Sequence, residues 1–184
     1  MKIERLAIPD VMLIVPRRFG DARGFFAETY TAKRFAEIGV DQSFVQDNQS
    51  LSRAKGTVRG LHCQVAPHIQ GKLIRVGRGA AWDVAVDIRA GSASYGKWVA
   101  ATLTADGGEQ LWVPPGFLHG FATLMSDTEI LYKVTAAYDS RAERGVIWND
   151  RSLAIPWPID GEPILSDKDK ALPPFAAARD WFAA

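Results

Sequence analysis

The sequence predicts an all-β sandwich or barrel. A succession of short apolar or alternating runs fills most of the 184 residues, and glycines and prolines punctuate them at turn spacing. Helical periodicity is convincing only at 31–39 and in the tail. The strand-like runs fall at 11–15, 24–30, 43–50, 56–64, 72–78, 80–89, 97–104, 110–113, 121–124 and 128–138. Breaks between them include G-R-G at 77–79, A-G-S-A-S-Y-G at 90–96, A-D-G-G at 105–108 and P-P-G at 114–116, all with turn chemistry.

In chain order, the run at 11–15 is followed by R-R-F-G-D-A-R-G, a turn-rich segment read as a loop before the strand at 24–30. Thr31 can cap the short helix T-A-K-R-F-A-E-I-G, which Gly39 ends. Within 58–64, alternation sets Val58, Gly60, His62 and Gln64 on one face and Arg59, Leu61 and Cys63 on the other. Along 80–88 it sets Trp82, Val84, Val86 and Ile88 on one face and Ala81, Asp83, Ala85 and Asp87 on the other. Carboxylates among alanines face either an inner polar cavity or solvent. In the run at 128–138, Tyr132 and Tyr138 share a face, about 20 Å apart if the strand stays straight. From residue 150 on, prolines give way to P-P-F-A-A-A-R-D-W-F, a tail expected to pack on the barrel with a short terminal helix.

Chemistry concentrates at 57–72, where Arg59, His62, Gln64, His68, Gln70 and Lys72 crowd an otherwise strand-like stretch. Small neighbours leave room beside His62, which can act as a base near neutral pH or be a hydrogen-bonded core residue. A hairpin would bring Lys72 back towards it and set a base and a cation at one cavity. In L-W-V-P-P-G-F-L-H-G-F at 111–121, a tight turn before His119 would fix where its imidazole points. Arg23 and Glu28 flank Phe25 and Phe26 and suit a phosphate and a base edge, and Gln46, Asp47 and Asn48 offer polar groups for a nucleobase or sugar; solvated surface is the alternative.

Composition bounds the remaining classes. A 47% hydrophobic content supports one compact domain, 1–184, with a core of its own. A net charge of +1 provides no broad basic surface for nucleic acid, so any phosphate site must be local. A single cysteine excludes an intramolecular disulfide framework and suits a reducing compartment. The segment M-K-I-E-R-L carries charge where a signal peptide has its apolar core, and no window approaches a membrane span, so a soluble cytoplasmic protein is expected.

Taken together, G-D-A-R-G-F-F-A-E (20–28), F-V-Q-D-N (44–48), V-R-G-L-H-C-Q (58–64), Q-G-K-L-I-R-V (70–76), D-V-A-V-D-I-R (83–89), L-W-V-P-P-G-F-L-H-G-F (111–121), L-Y-K-V-T-A-A-Y (131–138) and L-S-D-K-D (165–169) resemble the dTDP-4-dehydrorhamnose 3,5-epimerases. The resemblance implies a double-stranded β-helix, the cupin-type jelly roll, with short peripheral helices and a homodimer whose N-terminal strands cross to the partner. It implies a cofactor-independent epimerase inverting C3 and C5 of dTDP-4-dehydro-6-deoxy-D-glucose.

By matching motif, the resemblance makes His62 the base, oriented by Asp169, and Tyr132 the proton donor on the opposite sugar face. Lys72 would stabilise the enolate oxygen. His119 would contact the sugar, Arg23 and Arg59 the diphosphate, and Glu28 with Gln46, Asp47 and Asn48 the nucleotide. Tyr138 would stack on thymine, and Glu143 and Lys168 match ligand-binding positions. Cys63 departs from the aromatic residue usual beside the base. Strict alternation separates Arg59 from His62, which a bulge at Gly60, or use of Arg59 at a different edge of the site, would resolve. No redox cofactor is implied, and no metal, because cupin sites use a His-x-His pair and only three histidines exist. Competing expectations are a C5-only or C3-only epimerase or ketoisomerase on a related dTDP sugar, a non-catalytic nucleotide-sugar binding module, and a metal-dependent oxygenase.

Overall fold

The computed structural model describes residues 1–182. Short alternating strands with one apolar face must bury it against a second sheet, and the chain does this with two antiparallel sheets. The six-stranded sheet holds β1 (Lys2–Arg5), β2 (Met12–Val15), β5 (Gln46–Ser52), β7 (Lys72–Arg78), β10 (Gln110–Val113) and β12 (Thr128–Val134), in the order β1-β2-β10-β7-β12-β5. The five-stranded sheet holds β6 (Val58–Gln64), β8 (Ala80–Asp87), β9 (Trp98–Thr104), β11 (Phe117–Thr123) and β13 (Glu143–Gly145), in the order β13-β6-β11-β8-β9. From β5 onward the chain crosses between the sheets at almost every step, β8 to β9 excepted, and so winds as the double-stranded β-helix of a jelly roll.

The inner faces meet in a core that includes Ile74, Val76, Leu111 and Ile130 from one sheet and Ala85, Leu103, Phe117 and Phe121 from the other. Both outer faces are also covered in part. Helix α1 (Ala32–Ala36) lays Phe35 over Met12, Ile14, Leu73 and Trp112. The tail lays Leu153, Trp157 and Ala178 over Leu61, Val84, Val86 and Leu118, which is why both faces of β6 and β8 read as apolar. The tail also carries α2 (Asp167–Lys170) and a 3-10 turn (Phe175–Ala178).

Several sequence expectations are corrected. The segment read as a loop before residue 24 is half strand: β3 (Arg18–Asp21) pairs with β4 (Gly24–Ala27) in a separate hairpin, with Phe19, Phe25 and Phe26 left 50–65% exposed. The charged N-terminus forms β1, whose pairing with β2 no local pattern announces. Thr31 stands at the start of α1, but its hydroxyl makes no capping bond. His119 does not follow a turn directly; it lies inside β11, and cross-strand pairing with His62 and Ala85 fixes its direction. The last run stops at Val134, so Tyr138 lies beyond the strand and the straight-strand spacing does not apply.

Candidate functional site

A bulge is present on β6, the first of the two resolutions that the sequence left open. Between the pairs His119↔His62 and Phe121↔Arg59, β6 spends one residue more than β11. Gly60 permits it: its φ is +121°, and a Cβ there would meet the Gly120 Cα at 2.6 Å. Beyond the bulge, Leu61 and Cys63 face the outer apolar layer with Val58. Arg59 and His62 therefore come to line one cavity, which overturns the strict alternation read from the sequence.

That cavity measures about 430 Å³ and lies between the sheets at one end of the barrel. His62 enters it from β6, His119 from β11, Lys72 from β7 and Tyr132 from β12, with Asp169 and Lys168 from α2 at its side. An adjoining cavity of about 310 Å³ shares His62, Lys72 and Tyr132 and extends to Gln46, Asn48, Gln64, Tyr138 and Glu143. The two form one elongated polar trough.

His62 Nε2 donates to Asp169 Oδ1 at 2.6 Å, and the carboxylate is 5% exposed. Burial pushes Asp169 up, but the bonds from His62, the Gly60 amide and Ser166 outweigh it and hold the acid below its ordinary value. With Nε2–H committed to the carboxylate, Nδ1 is left with its lone pair. Ser166 caps α2 by accepting from the Asp169 amide, which fixes where the carboxylate sits. Helix α2 was not read from the sequence; the Ser166 cap ahead of an acidic turn was its available signal.

Burial raises the Tyr132 phenol and Arg59 opposes it, so the hydroxyl keeps its proton at neutral pH. Burial likewise lowers Lys72, against the pull of the carboxylates Asp83 and Glu143. Arg59 is held by Ser52 Oγ and the Leu51 carbonyl, both at 3.2 Å. At the outer end of the trough, Tyr138 donates to Glu143 Oε2 at 2.8 Å and Lys168 pairs with Glu143 Oε1 at 2.5 Å. Gln46 donates to Asn48 Oδ1 and accepts from the Tyr138 amide.

Three predicted residues do not join this group within one chain. Arg23 pairs with Asp21 on the exposed hairpin, and Glu28 pairs with Arg34 beside α1. Asp47 points to the opposite face of β5 from Gln46 and Asn48 and pairs with Lys133. His119 joins the cavity and brings Asp83, a residue assigned no role from the sequence: its Nε2 donates to Asp83 Oδ1 at 2.8 Å. The alternation of Asp83 with alanines was the signal for that inward carboxylate. Among the described residues no cluster of three His, Cys, Asp or Glu side chains is arranged to hold a metal ion.

Such a cavity, with a dyad base, an un-ionised phenol on the facing sheet and a lysine lining the same space, suits proton removal beside a carbonyl and its return from the other side. The comparisons agree with that chemistry. The family model for dTDP-4-dehydrorhamnose 3,5-epimerase matches residues 5–177. Over 173 residues the chain is 53% identical to the dTDP-4-dehydrorhamnose 3,5-epimerase of Sinorhizobium fredii, covering 94% of this chain and 89% of the relative. It superposes on the crystal structure of the Bacillus anthracis dTDP-4-dehydrorhamnose 3,5-epimerase with TDP and pyrophosphate bound, with TM-score 0.91, 50% identity and coverage of 94% and 98%. A third likeness is the Legionella pneumophila dTDP-6-deoxy-D-glucose-3,5-epimerase in complex with dTDP-4-keto-L-rhamnose, with TM-score 0.90, 42% identity and coverage of 94% and 92%.

Proposed function

The chain belongs to the dTDP-4-dehydrorhamnose 3,5-epimerase family, and we propose that it inverts C3 and C5 of dTDP-4-dehydro-6-deoxy-D-glucose to give dTDP-4-dehydro-L-rhamnose, as a step of dTDP-L-rhamnose biosynthesis. The observation that carries this is the trough: the His62–Asp169 dyad and Tyr132 come from opposite sheets, with Lys72 in the same cavity. Hydrogens at C3 and C5 are both α to the C4 carbonyl, so removing either gives an enolate. In the D-gluco chair both project from one ring face, so one base can serve both carbons.

His62 takes the proton on Nδ1 while Asp169 holds the ring and balances its new charge. Lys72 stabilises the oxygen that becomes negative at C4, a contribution that depends on its staying an ammonium. Tyr132 returns a proton on the opposite face, and the carbon inverts. Arg59 and His119 hold the diphosphate end and the sugar, and Gln46, Asn48, Tyr138, Glu143 and Lys168 hold the nucleotide along the rest of the trough. No step calls for a redox cofactor or a metal.

Arg23, Glu28 and the exposed phenylalanines of the β3–β4 hairpin support a homodimer in which each hairpin reaches its partner's trough. Such an assembly covers the apolar surface and delivers Arg23 and Glu28, two of the three residues absent from the trough. Each subunit acts as a single epimerase domain. A cytoplasmic setting suits the one cysteine, free and buried, and no helix among the described residues is long and apolar enough to cross a membrane.

The test is proton NMR of the dTDP-4-keto-6-deoxy sugar with the enzyme in deuterium oxide. Deuterium at both C3 and C5 in product of inverted configuration is expected. Label at one carbon alone would make it a monoepimerase, and no label at either would end the epimerase reading.

A further inference from the structure

Beyond Val134 the chain leaves β12, and the turn that follows carries Tyr138, 53% exposed, at the outer end of the trough. A turn outside a sheet has no strand neighbour for its backbone groups, which still need partners. Here glutamine side chains supply them. Gln70 Nε2 donates to the Ala136 carbonyl at 2.7 Å. Gln64 Oε1 accepts from the Asp139 amide at 2.7 Å, and its Nε2 lies 3.4 Å from the carbonyls of Ala137 and His68. Gln46 Oε1 accepts from the Tyr138 amide at 3.0 Å. The three glutamines stand on β6, on β5 and just ahead of β7, so both sheets hold the turn. The phenol is held as well, since the Tyr138 hydroxyl donates to Glu143 Oε2 at 2.8 Å.

Gln64 is the most enclosed of the three, at 4% exposure. A primary amide both donates and accepts, which neither a carboxylate nor an ammonium can do, and Gln64 uses both ends on one turn. Keeping three long side chains in single rotamers opposes folding. What the turn gains from them is a half-exposed aromatic ring with a fixed backbone and a fixed hydroxyl.

We propose that Gln64 and Gln70 are positioning residues for the nucleobase: by clamping the turn at 136–139 they preset the ring of Tyr138, which stacks on the thymine. The proposal rests on the nucleotide reading of the trough's outer end. A ring already in place loses little freedom when the ligand arrives, so the clamp acts on affinity. Gln64 and His62 stand on the same strand and line the same cavity. The strand that presents the base therefore also sets the height of the aromatic platform, and with it the span between sugar and nucleobase that the trough accepts.

The experiment is a double-mutant cycle on dTDP affinity, measured by calorimetry for wild type, Gln64→Leu, Tyr138→Ala and the double variant. Tyr138→Ala should weaken dTDP roughly 10- to 100-fold, the loss of one stacked base. Gln64→Leu removes donor and acceptor together at similar volume and should weaken dTDP roughly 3- to 10-fold. In deuterium wash-in its loss of kcat/KM should be carried by KM more than by kcat, because the reacting end of the trough is untouched. With Tyr138 already replaced by Ala, Gln64→Leu should change dTDP affinity by less than about twofold, since no ring is left to misplace. A glutamine that merely supports the fold would give the same loss in both backgrounds, and that result, or no loss in either, overturns the proposal. If Gln64→Leu does not fold, Gln70→Leu carries the same cycle from a less buried position, with the same outcomes on either side. Tyr138→Ala that binds dTDP as tightly as wild type would defeat the nucleotide reading and the proposal with it. A Tyr138-dependent affinity indifferent to both glutamines would defeat the clamp alone, which separates the two failures.

Discussion

Replacing Asp169 by Asn tests the base more sharply than deleting His62, because it preserves shape and changes only which nitrogen of the ring holds the proton. In the native site the carboxylate accepts from His62 Nε2 at 2.6 Å, from the Gly60 amide and from Ser166. An asparagine that keeps its carbonyl on the Gly60 amide must turn its NH₂ towards His62. Nε2 then becomes the acceptor and the proton moves to Nδ1, the atom that should attack the sugar. The base is lost through its tautomer, and the charge that stabilises the imidazolium is lost with it. Loss of an orienting partner alone costs roughly 10- to 100-fold. An inverted tautomer in a comparable dyad costs about 10⁴. The expected fall in exchange is therefore about 10²- to 10⁴-fold, or about 2.7–5.4 kcal/mol of transition-state stabilisation. The assay is deuterium wash-in at C3 and C5 by NMR, with dTDP affinity measured alongside. Both carbons should slow together while dTDP binding stays within about threefold, since the nucleotide is held elsewhere. Exchange within threefold of wild type at either carbon would refute the dyad.

Tyr132→Phe keeps the ring and its packing but deletes the hydroxyl; the label should appear in recovered substrate with little inverted product, and near wild-type epimerisation would assign the acid to another group. Asp87 has no exposed side chain, and its bonds from Arg89, Ser92 and Ser94 outweigh burial and hold its pKa at about 2 against an ordinary 3.8. Its contribution of about 2 kcal/mol is present above the unfolded value and lost as pH falls through the folded one. Asp87→Asn should accordingly lower stability at pH 7 and flatten its decline between pH 4 and 2, as followed by urea unfolding; an unchanged slope would remove the carboxylate from that role. Phe25→Asp with Phe26→Asp should yield monomers in sedimentation and weaken dTDP binding, whereas an intact dimer with full affinity would free the hairpin from the interface. Chelation with EDTA should leave turnover unchanged, and loss of activity restored by a divalent cation would show that the trough holds a metal.

Local pattern was enough for the class of fold, because a period of two with glycine and proline breaks is a property of neighbouring residues. It left open whether Asp83 among alanines faces inward or to solvent, and the ordered motifs were enough for the family. What the pattern lacked was anything that depends on pairing. The face of Arg59 relative to His62 was decided by the extra residue on β6 opposite β11. The direction of His119 was decided by two neighbouring strands, where local reasoning had invoked a turn. β1 is a strand because β2 offers it an edge, although its four residues are all exposed. Asp169 reaches His62 from 107 residues away because the tail folds back over the outer apolar face of β6 and β8. Sequence alone pointed to which residues could do the chemistry and to the strands that hold His62, Lys72 and Tyr132. Only the tertiary structure decided which of them meet, because the distances that turn an imidazole, a carboxylate and an ammonium into one site are set by strand register and sheet packing between segments far apart in the chain.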